Sequence, residues 1–262
     1  MKFTYDIQQL VPYINWVYFY HAWQVSDGEQ CQQLRREAEA FLQEQAQRYH
    51  AHALFTLEDA HSEGDDIVVE RSGKNYHLPC LRQQQVGSEY LCMADFIDGE
   101  HDRVGLFASS VDEAMVSDHS DDPYQRMMAQ LLADRLAEAA AEALHESVRK
   151  IIWGYAPQEQ LSIHEMLQEQ FQGIRPAVGY PSLPDASMNF LLDTLLDLKQ
   201  IGITLTESGA MMPHASVTGL MISHPKAHYF TVGTISEEQL MDYSRRRQMP
   251  VSTMKKFLTA NL

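Results

Sequence analysis

"SDDPYQRMMAQLLADRLAEAAAEALHESVRK", Ser120 to Lys150, constrains the fold of this chain more than any other stretch. Asp122 is placed to cap a helix, and Pro123 occupies the first helical position, where its missing N–H costs nothing. The apolar residues Met128, Leu131, Leu132, Leu136, Ala139, Leu144 and Val148 follow. This predicts a helix of on the order of seven turns, reaching about Lys150 and broken by Gly154 and Pro157.

Around it, Leu34, Ala38, Phe41 and Gln45 recur at helical spacing and predict an amphipathic helix over 29–49. "DDIVVE" (Asp65 to Glu70), "EYLCMADFI" (Glu89 to Ile97) and "RVGLFAS" (Arg103 to Ser109) read as neighbouring strands, as do "SVTGLMIS" and "HYFTVG". Helices are predicted over 163–171 and over 188–200, the latter ended by Gly202. Ser236 with Gln239 resembles a capping box, and Ser252 is read as the cap of a final helix. Strands come in runs while long helices stand apart, and no repeat or low-complexity linker appears. The pattern predicts an α+β fold: a single domain over 1–262 with a central antiparallel sheet flanked by long helices, not a Rossmann fold.

Composition excludes several functions. Lys and Arg total 20 against 36 Asp and Glu, a net charge of -16 that argues against a nucleic-acid partner. "LVPYINWVYFYHAW" lacks a basic leader, is interrupted by Pro12, Asn15 and His21, and is shorter than the roughly 20 apolar residues that span a bilayer. A cytoplasmic protein is expected, and Cys31, Cys80 and Cys92 are expected as reduced thiols. "HLPC" has no partner at metal-ligand spacing, and neither GxGxxG after a strand nor GxxxxGK[ST] occurs. "DAHSEG" (Asp59 to Gly64) matches DxHxxG, a cobalamin-ligating pattern, but the chain has no Gly-Gly step and lacks the parallel α/β context, so the match reads as coincidence.

"GIRPAVGYPSLPD" raises a different question. Pro176 fixes its own φ and restricts Arg175 toward extended geometry, so the guanidinium is aimed in advance. The stretch strongly resembles the "RPAxGYP" loop of the activation domain of cobalamin-dependent methionine synthase. "DRLAEAAAEALHESVRKIIWGYAP" (Asp134 to Pro157), "ESGAMMPHASVTGLMISHPKAHYF" (Glu207 to Phe230) and "DYSRRRQMPVSTMKKFL" (Asp242 to Leu258) resemble family segments in the same order. "LRQQQ" (Leu81 to Gln85) and "MADFI" (Met93 to Ile97) extend the likeness.

The resemblance implies a curved α+β domain that binds S-adenosylmethionine (AdoMet) in a surface groove. With an electron from a flavodoxin-type donor, it would remethylate oxidised cobalamin carried by a partner domain of the methionine synthase. No catalytic side chain is expected, because the reduced cobalt is itself the nucleophile. Arg175 would bind the AdoMet carboxylate, with Gly179 and Ala177 letting backbone approach the ligand. Tyr180 would pack beside the adenosyl group or anchor the loop. Tyr229 and Phe230 match a family tyrosine pair, Phe230 without the hydroxyl, and one of the two is expected to point into the core. Glu138 and Glu169 match acidic residues near the ligand, yet each reads equally well as a solvated helix residue.

Asn15 stands where the family typically has an aspartate contacting the amino acid group. Exchanging a charged hydrogen bond of roughly 1.5 to 3 kcal/mol for a neutral one of about 1 implies affinity weaker on the order of tenfold. Two other readings remain open. One is a docking module that selects a corrinoid protein's conformation without AdoMet; the other is a reactivation partner of another corrinoid methyltransferase. A separate protein and an excised domain are both compatible with the sequence. A donor-docking patch is expected, if anywhere, around "SRRRQ", with Arg245 and Arg246.

Overall fold

In the computed structural model, which describes residues 1–84 and 89–262, strands β1 (Lys2–Asp6), β2 (His50–Glu63), β3 (Asp66–Arg71), β4 (Lys74–Pro79) and β5 (Asp102–Val111) belong to one sheet. β6 (Thr204–Leu205) and β7 (Met211–Met212) form a separate ribbon, and β8 (Ser216–Met221) returns to the main sheet as its last strand. Every pairing is antiparallel, in the order β4-β3-β2-β5-β8. β2 is long enough to take β1 along its first residues and β3 along its last.

The helices are α1 (Ile7–Leu10), α2 (Trp16–Ala22), α3 (Gly28–Gln45), α4 (Ala114–Ser117), α5 (Pro123–Ser147), α6 (Ile163–Leu167), α7 (Met188–Leu196), α8 (Glu237–Arg246) and α9 (Val251–Phe257). The fold is α+β, and its sheet is covered on both faces. Successive residues of a strand point to opposite sides, so Phe55 and Phe107, paired across β2 and β5, pack toward α5 and α3. Leu54, Leu106 and Ala108 point the other way, toward α7. Burying each such phenylalanine contributes about 1.5–3 kcal/mol. α5 shows the sheet a face rich in alanine, including Ala129, Ala133, Ala137 and Ala140. These small side chains bring its backbone close enough for the Ser109 hydroxyl to donate to the Ala137 carbonyl at 2.8 Å. A third cluster, with Leu81, Val232, Tyr243 and Met254, holds α8 and α9.

Asp122 caps α5 as predicted, accepting from the amides of Tyr124 and Gln125. Beyond Ser147 the chain widens into a π turn over Val148–Ile152. The helix expected over 188–200 stops at Leu196, where Asp197 turns left-handed at φ 55°, and Gly202, at φ 77°, ends only the 3₁₀ turn Leu198–Ile201 that follows. α3 stops at Gln45 and α6 at Leu167, both short of the predicted ends.

Four local expectations are corrected. "EYLCMADFI" is not a strand: Met93–Phe96 is a 3₁₀ turn, because the Asp95 carboxylate turns back to accept from the Cys92 amide at 2.8 Å. "HYFTVG" is irregular, its Val232 amide donating to the Pro181 carbonyl instead of to a strand. Ser252 lies inside α9, whose cap is Pro250. Ser236 accepts from the Gln239 amide, but the Gln239 side chain bonds the backbone of Arg82 and does not complete a box. "DAHSEG" occupies the end of β2 and the turn at Gly64, with His61 facing Glu70 across the hairpin at 3.1 Å. Gln85 of "LRQQQ" lies outside the described residues.

Candidate functional site

The proline-rich loop is laid along the free edge of β8. The amides of Ile174 and Ile222 each donate to the other's carbonyl at 2.9 Å. The Leu220 amide donates to Pro176 at 3.0 Å, and the Val178 amide to Thr218 at 2.9 Å. Proline tolerates this edge position because only its carbonyl is needed. Gly219 makes the approach possible: a Cβ there would lie 2.2 Å from the Pro176 carbonyl oxygen.

Arg175 thereby projects toward α5. Its guanidinium lies over the Phe107 ring at 5.6 Å, its Nη2 donates to Glu142, and its Nε is buried with no partner among the described residues. Its amide donates to the Tyr229 hydroxyl at 2.9 Å. Burial, the largest influence, works against the guanidinium charge, but Glu142 together with Tyr229 and Glu138 outweighs it and holds the arginine pKa above its usual value.

Arg135, Glu138 and Glu142 follow one another at i, i+3 and i+7 on one face of α5. Glu138 accepts from Arg135 at 2.8 Å and from the Tyr180 hydroxyl at 3.1 Å. Burial and Glu138 push the Tyr180 hydroxyl up to about 12. Arg135 also lies over the Tyr18 ring of α2 at 5.9 Å. Glu169, just after α6, has its carboxyl pKa raised by burial and then by the like charge of Glu142.

These groups enclose a cavity of about 560 Å³. Of the sequence-predicted residues, Arg175, Ala177, Tyr180, Tyr229, Phe230, Glu138 and Glu169 line it. Phe230 also packs on Phe96, with ring centroids 6.4 Å apart. Two predicted residues fall outside the lining. Asn15 caps α2, its Oδ1 accepting from the Val17 amide at 3.2 Å, and it is Tyr18, one turn on, that reaches the cavity. Gly179 has φ 87°, and its amide closes a turn onto Leu183 at 2.8 Å; a Cβ there would touch nothing, so the turn itself calls for glycine.

Sequence reasoning did not single out Tyr18, Arg135 or Glu142. A signal was available for the last two, since both share the helical face of Glu138. Carboxylates, a guanidinium with an unused donor and aromatic faces suit a zwitterionic or cationic ligand that carries an aromatic group.

The "SRRRQ" stretch offers less than expected. Arg246 is spent on Asp66, Asp242 and the Cys80 carbonyl, and Arg247 is buried against Asp185. Arg245 is the exposed one of the three, and it pairs with Asp242.

Residues 6–248 match the family described as vitamin B12 dependent methionine synthase, activation domain. The chain is also similar to a solved structure, the MetH reactivation domain bound to AdoHcy, at 35% identity and a TM-score of 0.93. That likeness covers 100% of this chain and 90% of the other.

Proposed function

Because the chain belongs to the activation-domain family of vitamin B12 dependent methionine synthase, we propose that its 262 residues act as one unit that binds AdoMet in this cavity and presents the methyl group for reactivation of oxidised cobalamin. The observation that carries the proposal is Arg175 on the cavity wall, a guanidinium with one side-chain partner, Glu142, among the described residues. A planar guanidinium with a donor to spare fits the ligand's carboxylate. The similar reactivation domain was solved with AdoHcy, the demethylated form of the same ligand, which supports the choice.

The chain's own contribution is positioning. Arg175 takes the carboxylate, while Glu169 supplies negative charge to balance the ammonium. Tyr18, Tyr180, Tyr229 and Phe230 offer aromatic faces to the sulfonium and adenine. Tyr180 and Tyr229 are protonated at neutral pH as any phenol is, and burial pushes their pKa values further up, so neither adds a competing charge. A cobalamin held by a partner domain and reduced by a flavodoxin-type donor would supply the nucleophile for the methyl group, and this chain's residues would hold and orient AdoMet toward it. The enzyme to which this serves as the reactivation half is a methyltransferase; alone it is catalytically incomplete. The setting is cytoplasmic, and no described helix is long and apolar enough to cross a membrane.

Calorimetric titration tests the proposal. The chain should bind AdoMet and AdoHcy saturably, and Arg175→Met should weaken both by about tenfold to a hundredfold, the worth of one charged hydrogen bond. No saturation up to millimolar AdoMet would reject the reading and favour a docking module that works without it.

A further inference from the structure

Among the described residues Glu142 is the one carboxylate that bonds Arg175, and it is the largest of the influences that offset the guanidinium's burial. The contact uses Nη2 alone, which leaves Nε unsatisfied. Both side chains are nearly withdrawn from water, with 11% of Arg175 and 20% of Glu142 exposed. The Phe107 ring and the Tyr229 hydroxyl flank the arginine, and neither can bond the guanidinium as a carboxylate does. Glu138, one turn back on α5, is occupied by Arg135 and Tyr180. Glu142 is therefore the anchor that decides where the guanidinium sits.

Resting on the AdoMet reading above, we propose that Glu142 is a positioning residue: by holding Nη2 it fixes where the Arg175 guanidinium sits on the cavity wall, and so makes the site selective for ligands that carry an amino acid head. A guanidinium without this anchor keeps its charge but can swing on its long side chain, and a carboxylate must then order it at an entropic cost. A ligand with no carboxylate loses nothing by that freedom. A general packing role for Glu142 would affect both kinds of ligand alike.

The test compares AdoMet, AdoHcy and 5′-methylthioadenosine, which keeps the adenosyl thioether and lacks the amino acid head, on wild type, Glu142→Ala and Glu142→Gln. Glu142→Ala should weaken AdoMet and AdoHcy by about tenfold and change 5′-methylthioadenosine by no more than about twofold. Glu142→Gln, which can still accept from Nη2, should recover part of that loss; it also serves as the test should the alanine variant not fold. Equal losses for all three ligands, or wild-type AdoMet affinity in Glu142→Ala while Arg175→Met loses it, would overturn the proposal. Absence of AdoMet binding by the wild type would instead remove the reading it rests on, and the proposal with it.

Discussion

Arg175 and Arg247 brace opposite ends of the proline-rich loop, and the ways they are satisfied differ. Arg247, with 3% of its side chain exposed, donates from Nε to Asp185 at 3.2 Å and from Nη2 to the Ser187 hydroxyl at 2.8 Å. Asp185 also accepts from the Tyr243 and Ser187 hydroxyls, each at 2.8 Å. Every member of that node closes on another, which fixes residues 182–187 to α8. Arg175 makes a single side-chain bond and keeps a spare donor beside the cavity. A buried charge with its partners in place holds a fold, whereas one with a donor left over is prepared for a ligand. A spare donor is not sufficient alone. Arg149 has one too, yet it forks onto Glu159, covers Phe171 at 4.4 Å and lines none of the cavity around Arg175.

The sharpest way to break this comparison is Asp185→Ala. It strands Arg247 in the interior, and removing one partner of a buried pair costs about 3–5 kcal/mol. Urea denaturation should show that loss, while the folded fraction keeps AdoMet affinity within a few-fold of wild type. Affinity collapsing without loss of stability would make the node part of the binding site and void the distinction.

Gly219→Ala should give the complementary result at smaller cost. The new Cβ would meet the Pro176 carbonyl at 2.2 Å and the Phe107 ring at 2.7 Å, so the loop must move off β8. Overpacking of this kind costs about 1–3 kcal/mol. Because the displaced residues carry Arg175, titration should show AdoMet affinity falling further than stability alone explains. Unchanged affinity would mean that the loop's seat on β8 does not set the site.

How much of this was legible in the sequence varied with where the signal lives. α5 announced itself through a cap, a proline at its first turn and a sustained apolar face, all local features. β5 was legible as a short apolar run. β1 and β2 went unread because their burial depends on neighbours far away in sequence, β2 carrying His, Glu and Asp along with its buried residues, and β4 because, as an edge strand, it buries only Leu78 and Pro79. "HYFTVG" alternates as a strand does, yet Tyr229 and Phe230 turn to the cavity and Val232 bonds the proline-rich loop. The loop's importance was readable from its prolines and from family resemblance. The Arg175–Glu142 pair was not, since it joins residues 33 apart on a loop and a helix.

Asn15 sharpens the comparison at its weakest point. The family resemblance makes it a ligand contact, whereas its Oδ1 is already engaged by the Val17 amide at the start of α2. If capping is its role, Asn15→Ala should cost about 1 kcal/mol in thermal or urea unfolding, and the cost should reach the ligand only through Tyr18. Asn15→Asp then serves as the decisive variant. Aspartate caps as well as asparagine, and its charge is favourable at a helix N-terminus, so stability should hold or rise slightly. AdoMet affinity should move by about threefold or less, because the new charge stays at the helix end outside the cavity lining. A tenfold gain would show instead that the side chain leaves its cap to reach the ammonium. The amino acid head would then extend past Arg175 and Glu142 toward α2, and the cap would be the state of Asn15 without ligand.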